Sequence, residues 1–180
     1  MVETSQTYCK DCLLGTCKIH SEPPPVRHER VPWDEYFMGF AEAAATRSTC
    51  LRHQLGAALF KDRKILSTGY NGAPSGLEHC TDTGCMRDRM GIESGTRHEL
   101  CMAVHAEQNA IIQAASSGTP LKGSEIYITH SPCSVCAKMI INAGIVRVVY
   151  KIKYPDEFSV RLLEQAKIEL VELDGNENGK

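Results

Sequence analysis

In the segment WDEYFMGFAEAAATRS (33–48), apolar side chains recur at helical spacing, with Tyr36, Phe37, Phe40 and Ala44 on one face, which predicts a first helix to about Ser48. The period then falls to two. QLGAALF (54–60) and KILSTGYN (64–71) are short and apolar or alternating, and the KDR between them predicts a β-hairpin. From Gly72 to about Leu100 no period survives, and Gly, Cys, His and charge predominate. A loop that long is either functional or tied down. Helical spacing returns over VHAEQNAIIQAA (104–115) and stops at SSG, ahead of a strand at EIYITH (125–130). A helix from about Pro132 to Asn142, closed by Gly144, leads to a strand at IVRVVYK (145–151), a helix near FSVRLLEQA and a strand at IELVEL. This alternation predicts an α/β fold with one sheet and helices on both faces.

Composition separates the ends from the middle. Residues 1–26 hold a Cys/His-rich segment and the proline linker EPPPV, one globular domain is expected over 27–173 with packing from near Val31, and a flexible tail covers 174–180. The chain of 180 residues can bury a full core without disulfides. Its net charge of -2, from 20 basic and 22 acidic residues of interspersed sign, gives no broad cationic face, so no nucleic acid polymer is expected as partner. No apolar run approaches the ~18 to 20 residues of a bilayer span, and MVETSQTYCKDC lacks the zones of a secretory signal, so the expectation is a cytoplasmic protein with no membrane partner. In that compartment thiols stay reduced, and nine cysteines point to metal.

Two motifs then converge. His105-Ala106-Glu107 opens one predicted helix and Pro132-Cys133-x-x-Cys136 opens the next. With Ser131 as N-cap and Pro132 as first helical residue, Cys133 and Cys136 share one face, and the positive helix end favours their thiolates. His105 as third ligand leaves the fourth tetrahedral position of a Zn2+ ion to water. Glu107 sits too near His105 in sequence to share the metal easily, and it is placed to take the water proton. H-x-E followed by P-C-x-x-C is the signature of zinc deaminases, in which hydroxide attacks the carbon bearing an exocyclic amine.

The segments RSTC (47–50), STGYNGAPSG (67–76), HAEQNAI (105–111), SPCSVCAKMIINAGI (131–145) and VVYKIKY (148–154) together resemble the deoxycytidylate (dCMP) deaminase family of the cytidine deaminase-like superfamily. That resemblance implies a three-layer α/β/α domain with a mixed five-stranded sheet, hydrolysis of dCMP to dUMP, a homo-oligomer that is usually hexameric, and regulation by dCTP and dTTP, with Mg2+ accompanying the effector. It places Asn71, Ala106, Ser131 and Tyr154 at the substrate. Asn71 offers donor and acceptor to a deoxyribose hydroxyl. Gly69, Tyr70, Gly72 and Gly76 become effector-binding candidates, with turn formation as the other use of the glycines. For the phosphate, Arg47 is the first candidate and Arg52 the second. The rival substrates are free cytidine, a tRNA base and a riboflavin precursor; the rival class is a silent zinc-stabilised nucleotide-binding protein.

Two further groups have metal-ligand character. Cys80, Cys85, His98 and Cys101 are candidates for a second zinc, with Cys50 as a substitute ligand; free thiols and an exposed histidine are the alternative. Cys9, Cys12, Cys17 and His20 have the make-up of a third, knuckle-like site; a disordered arm with reactive thiols is the alternative there.

Overall fold

The computed structural model describes residues 29–173. Cys9, Cys12, Cys17, His20 and the tail therefore lie outside the described residues. A compact unit begins at Pro32, and α1 (Trp33–Ala45) follows at once, ending three residues before the predicted limit.

Both hairpin strands form where the alternation predicts them: β1 (Gly56–Lys61) and β2 (Lys64–Tyr70) pair antiparallel. Asp62 and Arg63 between them take φ of 51° and 61°. Two successive left-handed residues give the turn whose twist matches that of a two-residue hairpin. The long loop after β2 contains two single-turn helices, α2 (Cys80–Thr83) and α3 (Met86–Arg89), and a 3-10 turn at His98–Leu100. Then come α4 (Ala106–Ser116), β3 (Glu125–His130), α5 (Ser134–Asn142), β4 (Arg147–Ile152), α6 (Glu157–Gln165) and β5 (Glu169–Glu172).

The strands join in the order β2-β1-β3-β4-β5. β1 runs antiparallel to both its neighbours, while β3, β4 and β5 are parallel, so the sheet is mixed. Strand alternation divides the apolar side chains between two faces. Ala57, Leu59, Ile126, Ile128 and Val148 pack with Ala110 of α4, Ile140 of α5 and Leu163 of α6. On the other face Ala58, Phe60, Tyr127 and Val149 pack with Phe37, Met38 and Ala41 of α1. The result is the three-layer α/β/α sandwich expected. Arg147 pins α1 to the sheet through Asp34 at 2.8 Å, and reaches Glu125 at 3.1 Å and Glu169 at 3.3 Å.

Gly69 departs from its predicted use. A Cβ there would fall 2.2 Å from the Ala106 carbonyl oxygen and 2.4 Å from Ala110 N. Its missing side chain lets β2 lie directly against α4, so the close approach it permits is to a helix of the same chain. Gly76, with φ of +86° and open space around it, makes a turn.

Candidate active site

Two helix starts face each other across the C-terminal end of β3. His105 stands at the N-cap of α4 in extended backbone (φ -70°, ψ 157°), and its N–H donates to Gln108 Oε1 at 2.9 Å. That side chain reaching back from the third helical residue fixes where the helix begins. Cys133 is the extended N-cap of α5 (φ -73°, ψ 167°), and Cys136 is the third residue of the helix.

The prediction of Ser131 as N-cap and Pro132 as first helical residue is corrected here. Ser131 Oγ accepts the Tyr154 N–H at 2.7 Å, so it has no free role at the helix start. Asp156 takes over that task. Its Oδ2 accepts the Ser134 N–H at 2.8 Å and its Oδ1 the Ser159 N–H at 2.9 Å, so one carboxylate caps both α5 and α6.

These starts bring three ligand atoms together. His105 Nδ1 lies 3.5 Å from Cys133 Sγ and 3.3 Å from Cys136 Sγ. Zinc bonds of about 2.0–2.1 Å to nitrogen and about 2.3 Å to sulfur, opened to the tetrahedral angle, set such atoms about 3.5 Å apart. The residues fit the ion. Among the described residues no other group of three His, Cys, Asp or Glu ligands converges as tightly. The hydrogen bond from the Cys136 thiol, opposed by burial and helped by His105, holds the Cys133 thiol down at about 4. Cys136 is pushed up by the same bond, in which it is the donor, and by burial. The pair thus keeps one thiolate ready, and metal binding displaces the shared proton.

Glu107 is 7% exposed, in the first turn of α4. Burial pushes its carboxyl above the usual carboxylate range. A carboxylate that is costly to ionise and sits beside a metal-binding trio is suited to moving protons.

A cavity of about 490 Å³ opens over the trio, and Arg52, Asn71, Ala106, Glu107, Ser131 and Tyr154 all contribute to its lining. It lies where the sheet changes from antiparallel to parallel, outside the carboxyl end of β3, a favoured ligand position in open α/β sheets. Arg47 does not line it; that side chain is exposed just past α1. Asn71 is present but differently used. Its Oδ1 accepts from Leu55 N at 2.9 Å and from Ser48 Oγ at 2.6 Å, and its Nδ2 donates to the His53 carbonyl at 2.8 Å. The acceptor expected to face the sugar is spent inside the protein, leaving one amide hydrogen. Tyr154 donates its hydroxyl to the Gly95 carbonyl at 3.2 Å, and His98 Nε2 lies 3.2 Å from the same hydroxyl.

His98 is therefore placed apart from the ligand set predicted for it. Its ring stands 5.6 Å from that of His105. Cys50, Cys80, Cys85 and Cys101 share the cavity wall, and burial, Cys85, Cys50 and Cys101 together raise the Cys80 thiol. Among the residues of this wall that sequence reasoning left unnoticed are His53, Arg87 and His130. His130 directly precedes the SPC motif and was legible as a neighbour of the site; Arg87 carried no spacing signal.

A three-layer α/β/α sandwich whose Cys-Cys-His trio sits at two helix starts beside a buried glutamate defines the class: a zinc-dependent hydrolytic deaminase. The chain belongs to the family described as the cytidine and deoxycytidylate deaminase zinc-binding region, whose profile matches residues 31–152. It is 42% identical over 149 residues to ComE operon protein 2 of Bacillus subtilis, covering 81% of this chain and 75% of that protein. Human deoxycytidylate deaminase is 38% identical over 125 residues, 69% of this chain and 67% of that one. The crystal structure of dCMP deaminase from the cyanophage S-TIM5 in complex with dCMP and dUMP matches with a TM-score of 0.67 at 34% identity, over 81% of this chain and all of that one. Among the described residues no helix is long and apolar enough to cross a membrane.

Proposed function

We propose that the protein hydrolyses dCMP to dUMP and ammonia, with zinc held by His105, Cys133 and Cys136. The observation that carries this reading is Glu107, a buried carboxyl placed beside a trio of tetrahedral ligand spacing in a chain 38% identical to a deoxycytidylate deaminase. Zinc in this site supplies the Lewis acidity that makes hydroxide available from water near neutral pH. Glu107 accepts the water proton, passes it to N3 of the cytosine, and carries the second water proton to the amino group leaving C4. One water is consumed, one ammonia leaves, and Glu107 ends as it began. The Ala106 N–H, in the first turn of α4 and lacking an intrahelical acceptor, offers a donor to the base. Asn71 offers its remaining amide hydrogen to the sugar, while Ser131 and Tyr154 hold the wall opposite.

The same reading extends to regulation and assembly. Gly72 and Val104 exchange two backbone hydrogen bonds, of 3.2 and 2.9 Å, which tie the GYNGAPSG stretch to the residue before His105. This supports dCTP or dTTP, accompanied by Mg2+, acting through exposed Tyr70 and Gly76 and the buried Gly72 between them. A second zinc is assigned to Cys80, Cys85 and Cys101, with Cys50 in place of His98 on the shared wall, and a third to Cys9, Cys12, Cys17 and His20. Domain limits of 27–173, a hexameric homo-oligomer and a reducing, cytoplasmic setting for the thiols complete the proposal. Ammonia release from cytidine, dCMP, CMP and dCTP, each with and without dCTP and dTTP as effectors, tests it. Preference for dCMP is the expected outcome, and inertness on the whole panel would sink it. Elemental analysis should find about three zincs per chain; one alone would remove both extra sites.

A further inference from the structure

The long loop carries a second concavity, of about 440 Å³, beside the catalytic cavity. Leu77, Met86 and Met102 form its apolar lining, and Glu78 and Arg89 its charged lining. Local structure sets these side chains on one surface. Met86 and Arg89 stand three residues apart on α3 and share a face, while Arg87 between them turns inward and is buried. Gly84, at φ +82°, turns the chain between α2 and α3. The Arg89 guanidinium lies across that turn, with Nη2 3.3 Å from where a Gly84 Cβ would stand. Leu77 is held at the opposite approach by a turn in which its N–H donates to the Pro74 carbonyl at 3.1 Å.

Leu77, Met86 and Met102 are 50%, 44% and 38% exposed. Large apolar side chains grouped in water mark a surface that associates. Methionine adapts its unbranched thioether to whatever faces it, and Met and Arg are both enriched where proteins meet. Among the described residues neither Glu78 nor Arg89 is held in an ion pair, although the same loop pairs Arg97 with Glu99 and gives Asp88 to Arg52. Four buried polar side-chain atoms among the described residues lack a hydrogen-bond partner, on Arg52, Arg87, Ser124 and His130, and none of these residues lines the groove. Nothing in it therefore calls for a polar small molecule.

The charges decide the occupant. An isologous contact sets a surface against its own copy turned by 180°, so the surface has to complement itself. One acid and one base around an apolar centre meet that condition, because each finds its opposite on the other copy. A nucleic acid or an anionic membrane would call for an excess of positive charge. We propose that the groove of Leu77, Glu78, Met86, Arg89 and Met102 is a two-fold contact between copies of this chain, with Glu78 of one copy paired to Arg89 of the other. This rests on the reading of the protein as a homo-oligomer, and it assigns the surface that makes one of its contacts. Met86, Met102 and Cys80 also line the catalytic cavity, so a copy seated in the groove braces the cavity wall from its outer side.

Sedimentation of the full-length, zinc-loaded protein tests the contact in wild type, Glu78→Arg, Arg89→Glu, the double swap and Leu77→Asp. Each single reversal sets like charges opposite one another at two symmetry-related places. The dissociation constant of the contact should rise roughly 100-fold, giving a smaller species at a concentration where wild type is assembled. The double swap restores opposite charges and should return the wild-type mass, a rescue that a purely structural role for either residue would not produce. Melting temperature and zinc content should stay at wild-type values, because all three side chains are exposed. Leu77→Asp puts a charge into the apolar centre, should also dissociate the contact, and decides the matter if a reversal fails to fold. Wild-type mass in the folded single variants would overturn the inference and leave the homo-oligomer reading standing. A double swap that stays dissociated would overturn the pairing. A wild type that sediments as a monomer at every concentration would refute the assembly reading and this contact with it.

Discussion

Replacing Glu107 by Gln keeps the shape and hydrogen-bonding capacity of the side chain and removes only its ability to carry a proton. The carboxyl is almost wholly buried and lies outside the three-ligand group, so zinc should remain bound at wild-type stoichiometry. The amide fills the same buried space, so the melting temperature should stay close to that of the wild type. Catalysis should not. General acid and base assistance each contribute about 10²- to 10⁴-fold, and Glu107 serves in both senses in one turnover. A loss of about 10⁴-fold in kcat, equivalent to about 5.5 kcal/mol of barrier, is a conservative expectation. Ammonia release from saturating dCMP, read alongside elemental zinc and a thermal melt, checks all three quantities. Activity within tenfold of wild type in a zinc-replete variant would refute the proton-carrying role. Loss of zinc would show that Glu107 is a ligand.

Three other substitutions probe how the site is held. Gly69→Ala places a methyl group against the backbone of α4 at 2.2 Å from the Ala106 carbonyl, so it should destabilise by about 2 kcal/mol or more, seen as a lower urea midpoint with unchanged m-value. Asp156→Ala removes the cap from two helix starts, at about 1 kcal/mol each, and should weaken zinc retention against a chelator because Cys133 loses its fixed backbone. Asp34→Asn tests the Arg147 ion pair by its pH dependence. The hydrogen bond from Arg147 leads the causes that lower the Asp34 pKa, so its stabilisation is present above the unfolded value of about 3.9 and is lost as pH falls through the folded value. The stability gap between wild type and Asp34→Asn should be constant from pH 7 to 5 and close below pH ~4; a gap that widens on acidification would reverse the assignment.

The parts of this protein that could be read in advance are those whose physics is local in sequence. β3 begins at Glu125 and ends at His130 as its short apolar run predicts, and its alternate side chains Ile126, Tyr127 and Ile128 supply both packed faces of the sheet. The metal trio was legible for a related reason: two ligands three residues apart at a helix start meet wherever that helix lies. Strand order and the antiparallel pairing of β1 with β3 were not, since no local pattern distinguishes which strands become neighbours. One correction and two partners not foreseen share one cause. Ser131 is a good N-cap residue by type, yet Tyr154 claims its hydroxyl from across the sheet. Asn71 has the right atoms for a sugar, yet Leu55, Ser48 and His53 claim them. Gly69 has the freedom to approach a ligand, yet α4 already occupies that space.

In each case a residue's chemistry was legible and the partner it finds within the chain was not. The partner depends on which groups remain unsatisfied once the chain has closed on itself. That same accounting explains why Arg87 was invisible in the sequence and conspicuous in the structure. An arginine in a charged loop is ordinarily solvated, and MRDR carries nothing to set its second residue apart. Only after α3 packs beneath the 93–96 loop does its guanidinium become buried with a nitrogen left over. Spacing therefore identifies groups that act together through the backbone, as His105, Cys133 and Cys136 do. Groups with an unmet bond become visible only when every other bond has been assigned, as Arg87 with its unpartnered Nε does.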